Sequence, residues 1–183
     1  MDNTAKHSPR ITAEEYYRRT AENSERTELR GGEIVSLASP SLAHQQISGE
    51  FYRAVSTFIR SQCGKCKPFQ AVDVQLSDDT IVVPDFLTIC DPSKCSEKRI
   101  SGAPDWIVEI VSSNRKDDMI VKLGLYQQSG VREYWIVDPQ NRRTLVYFFE
   151  ENNFPSIYTF DAPIPVGIYN GALTICIDDF YWQ

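Results

Sequence analysis

Positive charge is scarce in this chain: 19 Lys and Arg stand against 25 Asp and Glu over 183 residues, a formal net charge of -6. That balance excludes a general basic surface able to draw polyanions from a distance, so a nucleic-acid role would have to rest on a local patch. Long hydrophobic runs are missing as well. Met1–Arg10 is polar and carries no apolar signal core, and no later run approaches the ~20 residues that a membrane span needs. A soluble, cytoplasmic protein without a membrane partner is therefore expected. The chain has no internal repeat and no low-complexity tract. Its five cysteines, Cys63, Cys66, Cys90, Cys95 and Cys176, are odd in number and unevenly spaced, which argues against the even disulfide framework of a small secreted domain. Reduced thiols are expected. Cys63-Gly-Lys-Cys66 has zinc-knuckle spacing and Cys90 and Cys95 could supply a second pair, but that second spacing is loose and Cys90 ends an apolar strand where a thiol packs as a small hydrophobe.

What is present is enough apolar material, 42% of the residues, for one domain with a sizeable core. The expectation is a single domain over residues 1–183 with residues 1–10 flexible. Val82–Pro139 organises the rest. Ile81-Val82-Val83-Pro84-Asp85 opens a central strand reaching Cys90, and Trp106-Ile107-Val108-Glu109-Ile110-Val111 reads as a strand buried on both faces with a glutamate inside it. A charge in that position needs a partner, a proton or a metal. A helix over Asp117–Ser129 follows, with Asp118, Lys122 and Tyr126 at steps of four, and then the apolar run Tyr134–Val137.

Thr12-Ala-Glu-Glu15 matches a capping box in which the Thr12 hydroxyl and the Glu15 carboxylate each take a free N–H, so a helix should run from Ala13 to about Thr20. Thr27–Val35 reads as an N-terminal hairpin with a Gly31-Gly32 turn and Glu28 across from Val35. Ser39-Pro40-Ser41 starts a long helix with an apolar stripe through Ile47, Phe51, Ala54, Val55 and Phe58. His44 falls in its first turn, where a solvated or capping role is commoner than a catalytic one. Phe69–Leu76 alternates as one half-buried strand. Asp91–Pro104 is a polar, mobile loop bearing Lys94, Lys98 and Arg99, which with Arg115 and Lys116 form a candidate basic lip. Strands over Thr144–Phe149, Ser156–Phe160 and Leu173–Ile177 make a C-terminal β-meander, closed by Phe180, Tyr181 and Trp182.

Side chains alternate across a strand, so Ile107, Glu109 and Val111 share one face and Val108 and Ile110 the other. If the Asp85 strand adjoins the Glu109 strand, the two carboxylates can share one divalent cation, and oxygen ligands favour magnesium or manganese. The residues alone leave a second reading open for each acid, a strand-end aspartate after proline and a buried glutamate neutralised by a nearby Arg or Lys.

Pro84-Asp85 followed by Glu109-Ile110-Val111 resembles the bipartite core of the PD-(D/E)XK nuclease superfamily. More narrowly, the chain resembles the Uma-type family of restriction endonucleases. The segments that carry this likeness are Glu28-Leu-Arg-Gly-Gly-Glu33, His44, Val83-Pro-Asp85, Pro104-Asp-Trp-Ile-Val-Glu-Ile-Val-Ser112, Asp118-x-x-x-Lys122-x-x-x-Tyr126 and Gly130-Val-Arg-Glu-Tyr-Trp-Ile-Val-Asp-Pro139. The resemblance implies a restriction-endonuclease-like α/β (α+β) fold, a mixed central sheet flanked by helices. It also implies hydrolysis of DNA phosphodiesters with Mg2+ or Mn2+ held by Asp85 and Glu109. The superfamily places a lysine two residues after the second acid, and here that place is Val111; the resemblance implies that Lys122, on the following helix, takes its role. Spacing alone would leave Lys122 paired with Asp118 on a solvated face. Glu28 is implied as a helper at the metal or water, His44 as a phosphate contact and Tyr126 as packing.

A second class stays open, a catalytically inactive nucleic-acid-binding or regulatory module on the same fold, in which Val111 records the loss of the lysine. The discriminator is the Lys122 amine: within about 4–6 Å of both carboxylates it belongs to catalysis, and pointing to solvent it belongs to the binding module. A homodimer joined through Tyr147, Phe148 and Phe149 is expected by analogy with nucleases that pair two sites.

Overall fold

The computed structural model describes residues 10–21, 25–111 and 116–180, and only the backbone of residues 116–119. The expectations for residues 1–9, Arg115, Tyr181 and Trp182, and for the side chains of Lys116 and Asp118, lie outside the described residues. In chain order the elements are α1 (Ala13–Thr20), β1 (Thr27–Arg30), β2 (Glu33–Ser36), α2 (Leu42–Ser61), β3 (Lys67–Phe69), β4 (Val74–Ser77), β5 (Thr80–Val82), β6 (Phe86–Ile89), β7 (Ile100–Ser101), β8 (Trp106–Ile110), α3 (Lys116–Ser129), β9 (Glu133–Asp138), β10 (Arg143–Phe148), β11 (Ser156–Thr159), β12 (Ile164–Pro165) and β13 (Thr174–Ile175).

The main sheet has six strands in the order β11-β10-β9-β8-β6-β3. Its only parallel pair is β8 with β9, joined by α3 as a crossover, because parallel neighbours need a connection long enough to carry a helix. All five residues of β8 and all six of β9 are buried, as their apolar runs predict for strands covered on both faces. The alternation within β8 sorts two cores. Val108 and Ile110 pack with Ile47, Phe51, Val55 and Ile59 of α2, whereas Ile107 and Val111 pack with Tyr126 and Tyr134 on the α3 side. Glu109 therefore points to the α3 face. A second sheet, ordered β2-β1-β5-β4-β7, carries the N-terminal hairpin, with Glu28 opposite Val35 as its turn register requires.

Two predicted strands are each broken in two. Phe69–Leu76 divides into β3 and β4, and Ile81–Cys90 into β5 and β6; in both cases the halves belong to different sheets. The breaks face each other. Ala71 takes φ 49 and its N–H donates to the Pro84 carbonyl at 3.1 Å, while Pro84 has no N–H to give to a ladder. A two-stranded ribbon thus bends from one sheet to the other at Val83-Pro84-Asp85.

Other expectations are corrected. The Thr12 hydroxyl accepts the Glu15 N–H at 3.3 Å, but the Glu15 carboxylate turns to Arg19 at 2.6 Å and to Arg18, so only half of the capping box forms. Cys66 and Cys90 are joined in a disulfide rather than held as reduced thiols, because pairing of Lys67 with Ile89 sets them side by side. Cys63, Cys95 and Cys176 are free, which leaves no four-cysteine zinc set. Tyr147 is buried and Phe149 half-buried in the α3-side core, and Phe148 is half-buried with its ring beside Gly167, so they are not the exposed aromatic surface on which the homodimer expectation rested. No helix among the described residues is long and apolar enough to cross a membrane.

Candidate active site

The bend in the ribbon and the crossover helix converge on one buried cluster. Phe86 pairs with Val108 in antiparallel register, which sets Asp85, one residue before β6, across from Glu109. The Ile110 N–H donates to Asp85 Oδ2 at 2.8 Å, and His44 Nε2 lies 2.8 Å from the same oxygen. His44 reaches it from the first turn of α2, whose start is fixed by the Ser41 hydroxyl accepting the His44 N–H at 3.2 Å. It is buried, not solvated, and its acid partner is 41 positions away in sequence, invisible to any reading of local pattern.

Lys122 and Tyr126, one turn apart on α3, both reach Glu109 Oε1: the ammonium at 2.8 Å and the phenol at 2.6 Å. Lys122 is 1% exposed, which overturns its placement on a solvated face beside Asp118. Its second partner is Glu28 Oε1 at 3.0 Å. Glu28 also accepts from the Val83 N–H at 2.9 Å, a donor freed where the ribbon bends, and from Arg30 Nε at 2.8 Å. Both Glu28 oxygens thus carry donors, Lys122 and the Val83 N–H on Oε1 and Arg30 on Oε2. Tyr126 is more than packing, since its hydroxyl is spent on Glu109. The signal that could have found it was its i+4 position from Lys122.

The electrostatics follow from burial and company. Burial, with Asp85 and Glu28 nearby, raises Glu109 more than Lys122 lowers it, and its carboxyl is pushed up to about 7. Burial acts the same way on Asp85, but the hydrogen bond and charge of His44 and the Ile110 N–H outweigh it and hold Asp85 below the usual carboxylate range. Glu28 is likewise held low against its burial by Lys122 and Arg30. Burial would lower Lys122, but Glu109 and Glu28 reverse that and keep it charged. Burying so many ions costs several kcal/mol each, and well-packed hydrophobes often serve stability better. A cluster of this kind is therefore better read as a working site than as a structural device.

With the geometry in place, the comparisons decide the lineage. The family model described as "Uma2: Putative restriction endonuclease" matches residues 13–162. The chain belongs to the Uma2 family. That match contains every residue of the cluster. Among solved structures, the chain is similar to one titled "Crystal structure of a putative nuclease belonging to DUF820 from Anabaena variabilis ATCC 29413", with a TM-score of 0.78 and 21% identity, covering 93% of this chain and 97% of that one. At that identity the likeness shows the fold, which is the restriction-endonuclease-like mixed α+β architecture. No curated protein matches the chain.

The basic lip expected on this Uma2 chain is partly dismantled. Lys94 Nζ donates to the Ala103 carbonyl at 2.8 Å, and the Arg99 guanidinium lies 3.8 Å from the centre of the Tyr17 ring. Those contacts, with β7 pairing alongside β4, tie down the loop that composition had marked as mobile. Lys98 is exposed.

Proposed function

We propose that this Uma2-family chain is a metal-dependent endonuclease that hydrolyses phosphodiester bonds in DNA. The observation that carries the reading is the Lys122 ammonium, 2.8 Å from Glu109 in a cluster that also holds Asp85. A lysine borne on the crossover helix and bonded to the second acid supports the reading that Lys122 supplies the charge a strand lysine at Val111 would.

The residues fit a hard divalent cation. Among the described residues no group of three or more His, Cys, Asp and Glu is disposed to hold a metal, but magnesium takes one or two carboxylates and keeps several waters. Glu109 Oε2 is buried with no hydrogen-bond partner, and the donors on Asp85 end on Oδ2, so each acid has an oxygen that these donors do not use. Asp85 and Glu109 would hold Mg2+ or Mn2+, whose chemical contribution is Lewis-acid stabilisation of negative charge at the phosphate. Lys122, held by two carboxylates, offsets charge that builds on the phosphate and orients the attacking water. His44, 2.8 Å from Asp85 Oδ2, orients that carboxylate.

Cleavage of plasmid and oligonucleotide DNA, followed with Mg2+, Mn2+ or EDTA for wild type beside Asp85→Ala, tests this directly. Cleavage should require the metal and Asp85. Cleavage that survives in the variant, or a wild-type chain inert under every condition, would sink the proposal. Since the chain is acidic overall, its DNA affinity should come from a few local cations and fall steeply with salt.

A further inference from the structure

The two carboxylates at the site are held in the same way. Asp85 takes the Ile110 N–H and His44 Nε2 on one oxygen, Oδ2, and Glu109 takes Lys122 and Tyr126 on one oxygen, Oε1. Glu109 Oε2 is left buried and without a partner.

The two donors on Oε1 differ in what they can enforce. An ammonium is a compact point charge on a flexible stem with three donors, and that of Lys122 is shared with Glu28, so it could follow either oxygen of a turning carboxylate. A phenol has one hydrogen and a planar ring set by two torsions. The Tyr126 ring is fully buried and packs edge-on against Tyr134 with centroids 4.9 Å apart, and its carbonyl accepts the Val131 N–H at 3.1 Å where α3 ends. Its hydroxyl therefore has one place to point. A phenylalanine would fill the same room; the oxygen is there for Glu109.

We propose that Tyr126 is a positioning residue of the metal site, pinning Glu109 by Oε1 so that Oε2 is the atom presented to the cation. This rests on the metal-dependent reading above. Groups that orient a metal ligand typically contribute roughly tenfold to a hundredfold in metal affinity. Lys122, by contrast, acts on the charge of the reacting phosphate.

The test is Mn2+ binding without DNA, read from the electron paramagnetic resonance signal of free Mn2+, together with the Mn2+ dependence of cleavage. Wild type, Tyr126→Phe and Tyr147→Phe are compared, with melting temperatures recorded for each. Tyr147 is buried in the same core but belongs to no part of the site. Tyr126→Phe should weaken Mn2+ binding about tenfold or more and shift the Mn2+ half-saturation of cleavage equally, with the rate recovering to within about threefold of wild type at saturating Mn2+. Tyr147→Phe should leave both half-saturation points in place. A Tyr126→Phe chain that binds Mn2+ like wild type, whatever its melting temperature, overturns the inference alone, as does a rate loss that saturating Mn2+ does not recover. A wild-type chain that binds no Mn2+ overturns the metal-dependent reading itself, and this inference with it.

Discussion

Glu109 and Glu133 are buried glutamates on neighbouring parallel strands, each 0% exposed, and they are treated in opposite ways. Glu133 accepts from Trp135 Nε1 at 2.7 Å, the Gly167 N–H at 3.0 Å and the Ile168 N–H at 2.8 Å, so both of its oxygens are occupied by uncharged donors. It ties the turn at Gly167–Tyr169 to the sheet. Glu109 has a cation and a phenol on one oxygen and nothing on the other. Glu133, which holds the fold, is saturated, while Glu109, the acid proposed above to serve the chemistry, retains an empty atom. Oxygen satisfaction, not depth, is what distinguishes the two glutamates.

The comparison breaks most visibly if the wrong glutamate proves necessary for cleavage. Glu109→Gln and Asp85→Ala should each lower single-turnover cleavage by roughly a hundredfold or more, the scale of losing one preorganised electrostatic group, whereas Glu133→Gln should cleave at near wild-type rate once folded. Lys122→Met should match the first pair in rate while keeping DNA affinity within about threefold, since a charge that acts on the transition state costs rate before binding. Equal losses at Glu109 and Glu133 would remove the distinction.

Stability should show the reverse order. Glu133→Ala strands one buried and two part-buried donors and should cost about 3 kcal/mol in denaturant unfolding, given ~1–3 kcal/mol for each buried group left unsatisfied. A cost below about 1 kcal/mol would mean that the turn it tethers reaches other acceptors.

The pH dependence sharpens the contrast further. Between pH 4.5 and about 7 the metal-free folded chain keeps a proton on Glu109 that the unfolded chain has released, so stability should fall as pH rises through that window. Asp85 and Glu28, held low when folded, contribute the opposite limb, a gain as pH rises through the acid range. Glu109→Gln should flatten most of the falling limb. A remainder should persist from Glu133, which burial also raises against its N–H donors. Denaturation midpoints measured across pH for the two Gln variants decide it, and an unchanged falling limb in Glu109→Gln would contradict the assignment. The smallest effect serves as the baseline: Thr12→Ala removes the α1 cap far from both glutamates and should cost about 1 kcal/mol with no change in the pH profile.

Much of this protein is written locally. The period of Ile47, Phe51 and Val55 fixed α2, the unbroken apolar runs fixed β8 and β9, and alternation put Glu109 on the face opposite Ile110. Those patterns are legible because helix and strand impose periods that a short window contains. The strand bends were not legible, because alternation in 69–76 and the largely apolar run of 81–90 each read as one strand, while the break arises from the facing partner, where Ala71 meets Pro84. The partners of Glu109, Asp85 and Lys122 were hidden for the same reason. Glu28, His44 and Tyr126 come from a hairpin, a helix start and a crossover helix separated by many residues, and only packing sets their oxygens and nitrogens within 3.0 Å. The Cys66–Cys90 bond likewise depends on the register of β3 against β6. Sequence determined which residues could carry charge into the core; tertiary structure decided which charge each would meet, because pairing between distant elements is settled by the burial of both at once.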